Sequence, residues 1–530
     1  MDGGAASLNA SAIDGEPPRA RQPPRAARPW LTARTDAGAR IGDLFARALA
    51  LIFLIAWLSL GAQVRLLIGS RGLLPLGEFL AAARDQAALS FWDFPTLLWW
   101  VHGDGALVAG AALGGALALA ALFGRGRWRQ LCFALSTALY LSYAVAGRTF
   151  LSFQWDNLLL ECGMLASFLP AARAAPLVHL LFRLLLFKLY FESGIAKWQS
   201  PLHDWQDGSA MTFYYETAPL PTWLGWYAHH LPAGWHRFES HATLALELVV
   251  PFGLFVRARA PRLTAAGLLT LFQLLNIATA NYGFFCYLTL ALHLFVLDDR
   301  DLERAAGRLP RWMRARAVAS APAAPRARAA PRPIRAAGVA AALLFVGLSL
   351  LEALFHFIQP GPGLERLAPL VQLNQTWRLV NTYHLFAAVT RERIEPELQV
   401  LRAQAAAGDD DRSPDSPPWT ALPLWHKPGD PMRAPDFVAP HQPRVDFQLW
   451  FYGLAFQRRE PSYVATLIGR LCEDPTAVQA LFRTPLPPHP SAVRIGYWRF
   501  HFTSRAEARA SGAWWRREWV GATRAIPCDR

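Results

Sequence analysis

Lysine is nearly missing from this chain: it supplies 3 of the 53 basic residues, and arginine supplies the rest. Heavy Arg, Ala and Pro usage reflects a biased genome, so a lysine that persists stands out. Two of the three, Lys188 and Lys197, lie in one hydrophobic segment, Ala175 to Trp198. Cysteine is scarce as well, with five in 530 residues and no metal-ligand spacing, which excludes a zinc ribbon or finger. No nucleophile elbow, P-loop or dinucleotide fingerprint occurs in a workable context, so a hydrolase has no support. No internal repeat is visible, which argues against a transporter of two related halves. The first 40 residues lack an apolar core and are neither a signal peptide nor a span. Their Pro, Ala and Arg content predicts a disordered tail over 1–43.

What is abundant is apolar sequence. The chain is 53% hydrophobic yet carries a formal charge of +14, because apolar blocks alternate with short Arg-rich stretches. A basic nucleic-acid binder places Arg on a soluble face with few apolar runs, so a nucleic-acid partner is excluded. The pattern is that of a multi-pass membrane protein whose partners include membrane lipids. Candidate spans fall at about 44–64, 106–123, 130–147, 157–170, 176–196, 240–256, 263–280, 282–297 and 336–357. That gives about eight to nine spans, the count resting on a break near Asn281. Arginine collects in the N-terminal tail, at 125–129, at 257–262 and in 298–335, whereas 197–239 holds only Lys197 and Arg237. Basic loops stay on the cytoplasmic side, so the N-terminus is expected inside and, with nine spans, the C-terminal domain outside.

The predicted organisation is therefore a membrane domain over 44–297, a flexible cytoplasmic linker over 298–335 and a last span at 336–357. A soluble β-rich extracytoplasmic domain follows over 358–530. In it, Arg393–Leu401 and Ala492–Phe502 alternate as strands do. Asp474 and Pro475 open a short helix, and 406–418 is an acidic, Pro-rich loop. Cys132, Cys162 and Cys286 read as core residues, while Cys472 and Cys528 could pair in an oxidising compartment.

The lysine segment also carries His179, Arg183 and Glu192. Ionisable groups are costly in hydrocarbon, so such a span faces protein or water. Lys188 and Glu192 are four apart on one helix face and read as an internal ion pair. Lys197 has no acid three or four residues before it. It either snorkels to water at the span's outer end or is desolvated by Tyr190, Phe191, Trp198 and Trp205, which would suit a base. Asp156 and Glu161 could supply acids to the same cavity or cap a helix. Glu247 is a candidate partner for Arg183 or Lys188. His229, His230, His236 and His241 lack the Cys or acid that would complete a metal set, so no metal is expected. Trp223, Trp226, Tyr227, His229 and His230 form an interfacial or client-docking surface.

Long stretches carry a resemblance. "FQWDNLLLECGMLASFLP" (Phe153–Pro170), "WQDGSAMTFYYETAPLPTWLGWYAHHLP" (Trp205–Pro232), "ELVVPFGLF" (Glu247–Phe255) and "NYGFFCYLTLALHLFVLDD" (Asn281–Asp299) come first. "NTYHLFAAVTRER" (Asn381–Arg393) and "KPGDPMRAPDFVAPHQPRVDFQLWF" (Lys427–Phe451) follow in order. The succession resembles the lipase maturation factor family. It implies a multi-pass membrane chaperone for exported clients, lipases in that family; the sequence itself points to no cofactor. The site is the endoplasmic reticulum membrane in eukaryotes and the cytoplasmic membrane in bacteria. Pro440, His441 and Arg444 then join the docking candidates. A second, local stretch, Tyr190–Met211, is similar to the region around the active lysine of vitamin K-dependent γ-glutamyl carboxylases. That likeness implies a membrane enzyme with Lys197 as base.

Overall fold

The computed structural model describes residues 38–86, 89–170, 175–307, 332–358, 361, 363–402, 419–454 and 461–528. The expected loop at 406–418 and the tail up to residue 37 lie outside the described residues. Apolar runs of this length fold as helices because a helix satisfies every backbone group within itself. The principal helices of the helical part are α1 (Ala39–Gly61), α2 (Asp104–Phe123), α3 (Gly126–Ala146), α4 (Gln154–Ala166), α5 (Pro176–Trp198), α6 (Ala210–Thr217), α7 (Trp223–His229), α8 (Ala233–Leu248), α9 (Arg259–Thr279), α10 (Phe285–Leu292) and α11 (Arg332–Phe357). Among the described residues, four helices are long and apolar enough to cross a membrane, against the eight or nine spans expected: Ala39–Gly61, Asp104–Phe123, Ala233–Phe255 and Arg335–Phe357.

Contacts sort the helix ends onto two faces. On one, Asp299 accepts the N–H groups of Gly38 and Ile41 and so caps α1 from a distance. Arg129 reaches Asp43, and Arg262 pairs with Asp298 and Asp301. The Arg-rich turns thus share the face of the α1 N-terminus. On the other face, Gln63 follows α1 and Gln199 follows α5, and Gln199 donates to the Phe357 carbonyl at the end of α11. The stretch after Asp298 departs from the expected free linker. Asp299–Gly307 is a helix, and its acids tie it to Arg259, Arg262 and α1. Residues 308–331 lie outside the described residues. The tail boundary also shifts, since α1 begins at Ala39 rather than after residue 43.

The C-terminal part is built on an antiparallel sheet of β1 (Arg393–Arg402), β2 (Trp419–Ala421), β3 (Pro490–Phe502), β4 (Trp515–Ala522) and β5 (Ile526–Pro527). The order is β2-β1-β3-β4, with β5 pairing β3. The alternation predicted both long strands to within two residues, and Leu398 faces Ile495 across them, both buried. Helices α12 (Arg444–Leu454) and α13 (Ser462–Glu473) pack on the sheet. Asp474 and Pro475 open the expected short helix. Cys472 and Cys528 form a disulfide, which ties α13 to the chain after β5. The other three cysteines are free and buried.

Candidate functional site

The polar side chains of the helical part converge on non-helical backbone. Residues 378–389, between α11 and β1, run without regular structure into the helical bundle. Irregular backbone at such a place needs protein partners for its N–H and C=O groups. Four of the partners, Glu161, Glu192, Lys197 and Trp205, are groups noted in the sequence, and Gln154 and Asp204 join them. Glu161 accepts the Asn381 N–H. Glu192 accepts from the Tyr383 N–H at 2.8 Å, and Gln154 from the His384 N–H at 2.9 Å. Lys197 Nζ donates to the Leu385 carbonyl at 2.7 Å, Trp205 to the Phe386 carbonyl, and Asp204 accepts from the Val389 N–H at 2.8 Å. Arg378 anchors the start of the strap on the Leu151 and Ala144 carbonyls. Burial pushes the strap's His384 down to about 4.

This geometry redraws the expected pairings. Lys188 pairs with Glu161 at 3.1 Å, not with Glu192, because Glu192 is turned to the strap. Lys197 pairs with Glu247 at 2.8 Å, so Glu247 serves neither Arg183 nor Lys188. Lys197 does not snorkel to water: it is 3% exposed, with Trp205 5.2 Å below it, while Trp198 points outward. Gly194 makes the pair possible, since a Cβ there would lie 3.0 Å from Glu247 Cβ and 2.9 Å from Leu248. His179 and Arg183 stand apart from this cluster, both against Phe295, whose carbonyl Arg183 binds at 2.5 Å. The segment is thus three polar stations on one helix rather than one cluster.

A second insertion spans 436–444. Asn281 receives the N–H groups of Val438 and Ala439 on its Oδ1 and donates to the Asp436 carbonyl. Ser59 and Gln63 accept the N–H groups of Gln442 and Arg444. Gly283 has a positive φ of 53°, and the Gln442 side chain fills the space a Cβ would need. Arg444 reaches Asp156 with a two-pronged contact at 2.8 and 2.9 Å and also binds the Phe150 carbonyl. Burial alone would lower the Arg444 pKa, but Asp156 and Tyr140 reverse this and hold it above its usual value. Asp156 is therefore neither a free cavity acid nor a simple cap. Arg444 is 1% exposed and His441 lies 2.9 Å from Ser59, so Pro440, His441 and Arg444 belong to a domain junction and not to an open docking surface.

Arg393 completes the junction. It is fully buried, donates to the Glu216, Ala218 and Pro219 carbonyls, and pairs with Glu395. Glu395 also holds Lys427 at 2.5 Å, where burial lowers the lysine's pKa against the pull of that carboxylate. The 197–239 stretch divides. Trp223 and Tyr227 are exposed, and Trp223 packs edge-on to exposed Phe437. Trp226 is buried against Trp514, and His230 binds the Thr503 carbonyl. His229 lies 3.9 Å from Glu216, which also accepts the Phe502 N–H. Lys197 and Glu247 border a partly open cavity of about 70 Å³ with many aromatic rings in its walls. Sequence reasoning missed Glu161, Asn281, Gln63, Asp204 and Glu216 as partners of the inserted backbone. The available signal was that Glu161, Glu216 and Asn281 all sit in the long matched stretches, as does the strap's Asn381.

The comparisons with known proteins agree with this two-part arrangement. A family model described as the Lipase maturation factor transmembrane domain matches residues 41–304. A second, described as the Lipase maturation factor C-terminal domain, matches residues 379–525. Lipase maturation factor 1 of Bos taurus is 32% identical, over 90% of this chain and 86% of its own length. Lipase maturation factor 1 of Homo sapiens is also 32% identical over the same shares, and Lipase maturation factor 2 of Homo sapiens is 29% identical over 91% and 82%. No solved structure matches the chain significantly.

Proposed function

The chain belongs to the lipase maturation factor family as an integral membrane protein, and from that premise we propose that it assists the folding of exported proteins, lipases among them. The observation that carries this reading is the continuous match through both halves, together with the buried straps that join them. A protein whose polar interior is spent on holding two domains rigid is suited to presenting a surface rather than turning over a substrate. That surface is Trp223, Tyr227 and Phe437, exposed at the outer edge of the junction. Aromatic residues at such places dominate recognition energy. The contacts that gather the Arg-rich turns on the α1 N-terminal face support an inside N-terminus and, on the opposite face, an outside C-terminal domain. A disulfide in that domain fits an oxidising side. The membrane is the cytoplasmic one in a bacterium and that of the endoplasmic reticulum in a eukaryote.

The test compares exported proteins with and without this protein. Loss of folded yield for a subset, restored by the wild type, is the expected result; unchanged yields throughout would sink the reading. Trp223→Ala with Tyr227→Ala should cut client yield several-fold at unchanged abundance of the membrane protein. A second reading, a membrane enzyme with Lys197 as base, draws on the placement of Lys197 at a cavity. Lys197→Met combined with Glu247→Leu removes the pair without leaving an orphan charge. Client yield should survive that change in a chaperone, whereas a modified product would vanish from an enzyme.

A further inference from the structure

The cavity beside Lys197 is not accounted for by the straps. It lies between α5, α8 and α9, closed on one side by Leu385 and Phe386. Tyr190, Trp205, Tyr214, Phe272, Tyr282 and Phe285 supply its aromatic walls. Its polar groups have three features. Lys197 and Glu247 neutralise each other, so the site carries no net charge to attract an ion. Thr243 and Asn276 add a hydroxyl and an amide to the lining. Gln273 is 3% exposed, and its amide nitrogen binds the Tyr190 hydroxyl, yet its Oε1 has no hydrogen-bond partner among the described residues. A buried acceptor left unpartnered costs about 1–3 kcal/mol and calls for an explanation.

From these observations we propose that the cavity binds the neutral glyceryl headgroup of a membrane glyceride. The ligand must be uncharged, because a charge would stand unbalanced beside a closed ion pair. It must donate a hydrogen to Gln273 Oε1, which a hydroxyl does. It must also offer C–H surface to aromatic walls. The space of about 70 Å³ holds a group of modest size. At about 10–15 Å³ per water-sized probe, that is roughly five to seven waters, close to the heavy-atom count of glycerol. The bilayer is the source, since half-buried Phe272 and Asn276 alternate along α9 with exposed Leu268, Leu271 and Leu275. The proposal rests on α9 presenting Leu268, Leu271 and Leu275 to lipid, not on its crossing the membrane in full, and is independent of any client.

The full-length protein in phospholipid nanodiscs is irradiated with monooleoylglycerol carrying a diazirine near the ester. Adducts should concentrate on Phe272, Gln273 or Asn276, at least five-fold above Leu268, Leu271 and Leu275. Unlabelled monooleoylglycerol should remove them, while oleate and free glycerol at equal concentration should not. Gln273→Leu should lower labelling at least three-fold. Because that variant also loses the Tyr190 bond, Thr243→Val, which keeps its shape, serves as the second variant and should lower labelling too. Even labelling along α9, or labelling insensitive to both variants, overturns the proposal. Displacement by oleate shows that the headgroup is not read, and displacement by free glycerol that the site fills from water. Either result would overturn it, while the exported-protein assay would stand unaffected.

Discussion

At the scale of single residues, the three lysines share one fate. Each is buried against a glutamate: Lys188 on Glu161, Lys197 on Glu247, Lys427 on Glu395. An ammonium is compact and can divide its protons between a carboxylate and a carbonyl, as Lys197 does, where a planar guanidinium needs more room. This gives a physical reason why lysine persists in an arginine-rich chain. Removing one partner leaves a buried charge. Lys188→Met should therefore cost about 3–5 kcal/mol, and adding Glu161→Gln should recover much of it, because the amide oxygen still accepts the Asn381 N–H. Thermal unfolding of the detergent-solubilised variants measures both. His441 makes a separate prediction. Burial, helped by the charges of His426 and Arg444, pushes it to about 4. Its unfolded value is about 6.5, so between the two values the unfolded chain binds a proton that the folded one does not. Stability is then complete above that range and falls as pH drops through it. Discounted for partial exposure, the loss is on the order of 1 kcal/mol. The drop in melting temperature from pH 7 to pH 5 should be smaller in His441→Gln than in the wild type.

At the scale of elements, legibility followed the range of the interaction. Arg393–Leu401 and Ala492–Phe502 could be read because alternation records a buried and an exposed face, and the strands formed there. Asp474 and Pro475 could be read because a helix start is fixed by its own residues. The charge content of α5 was legible as a sign of protein contact, but its partners were not. The strap it serves lies almost 200 residues downstream, and a backbone N–H has no side-chain signature. Hence the i to i+4 rule paired Lys188 with Glu192, while tertiary contact gave it Glu161. In the aromatic motif the exposed rings could not be told from the buried ones, for periodicity does not separate Trp223 from buried Trp226. The disulfide lies between these cases: two cysteines in one domain were visible, and their proximity was not. It closes a loop of 56 residues. Cross-links of this kind contribute about 2–4 kcal/mol. Cys472→Ser should lower the denaturation midpoint of the C-terminal domain by that equivalent and make it indifferent to reductant, whereas the wild type should fall to the same midpoint when reduced.

At the scale of the whole molecule, the straps make two domains behave as one. Residues 378–389 and 436–444 pack against the helical part, and Arg378, Arg393 and Arg444 fasten them with buried charge-assisted bonds. Domains that merely touch move against each other, but an interface of buried ion pairs and inserted backbone resists this. Covalent continuity between the halves is then not needed to hold them together. A specific protease site placed within 308–331 and cleaved in detergent should leave two fragments that co-purify and unfold at nearly the uncut temperature. Arg444→Ala leaves Asp156 buried without its cation and should cost about 3–5 kcal/mol. Combined with Asn281→Ala, which frees the Val438 and Ala439 N–H groups, it should let the cut halves separate on a sizing column. If the cut wild-type fragments part as readily as the doubly substituted ones, the junction is not what holds the surface of Trp223, Tyr227 and Phe437 in place, and the rigid-platform argument for a folding factor loses its support.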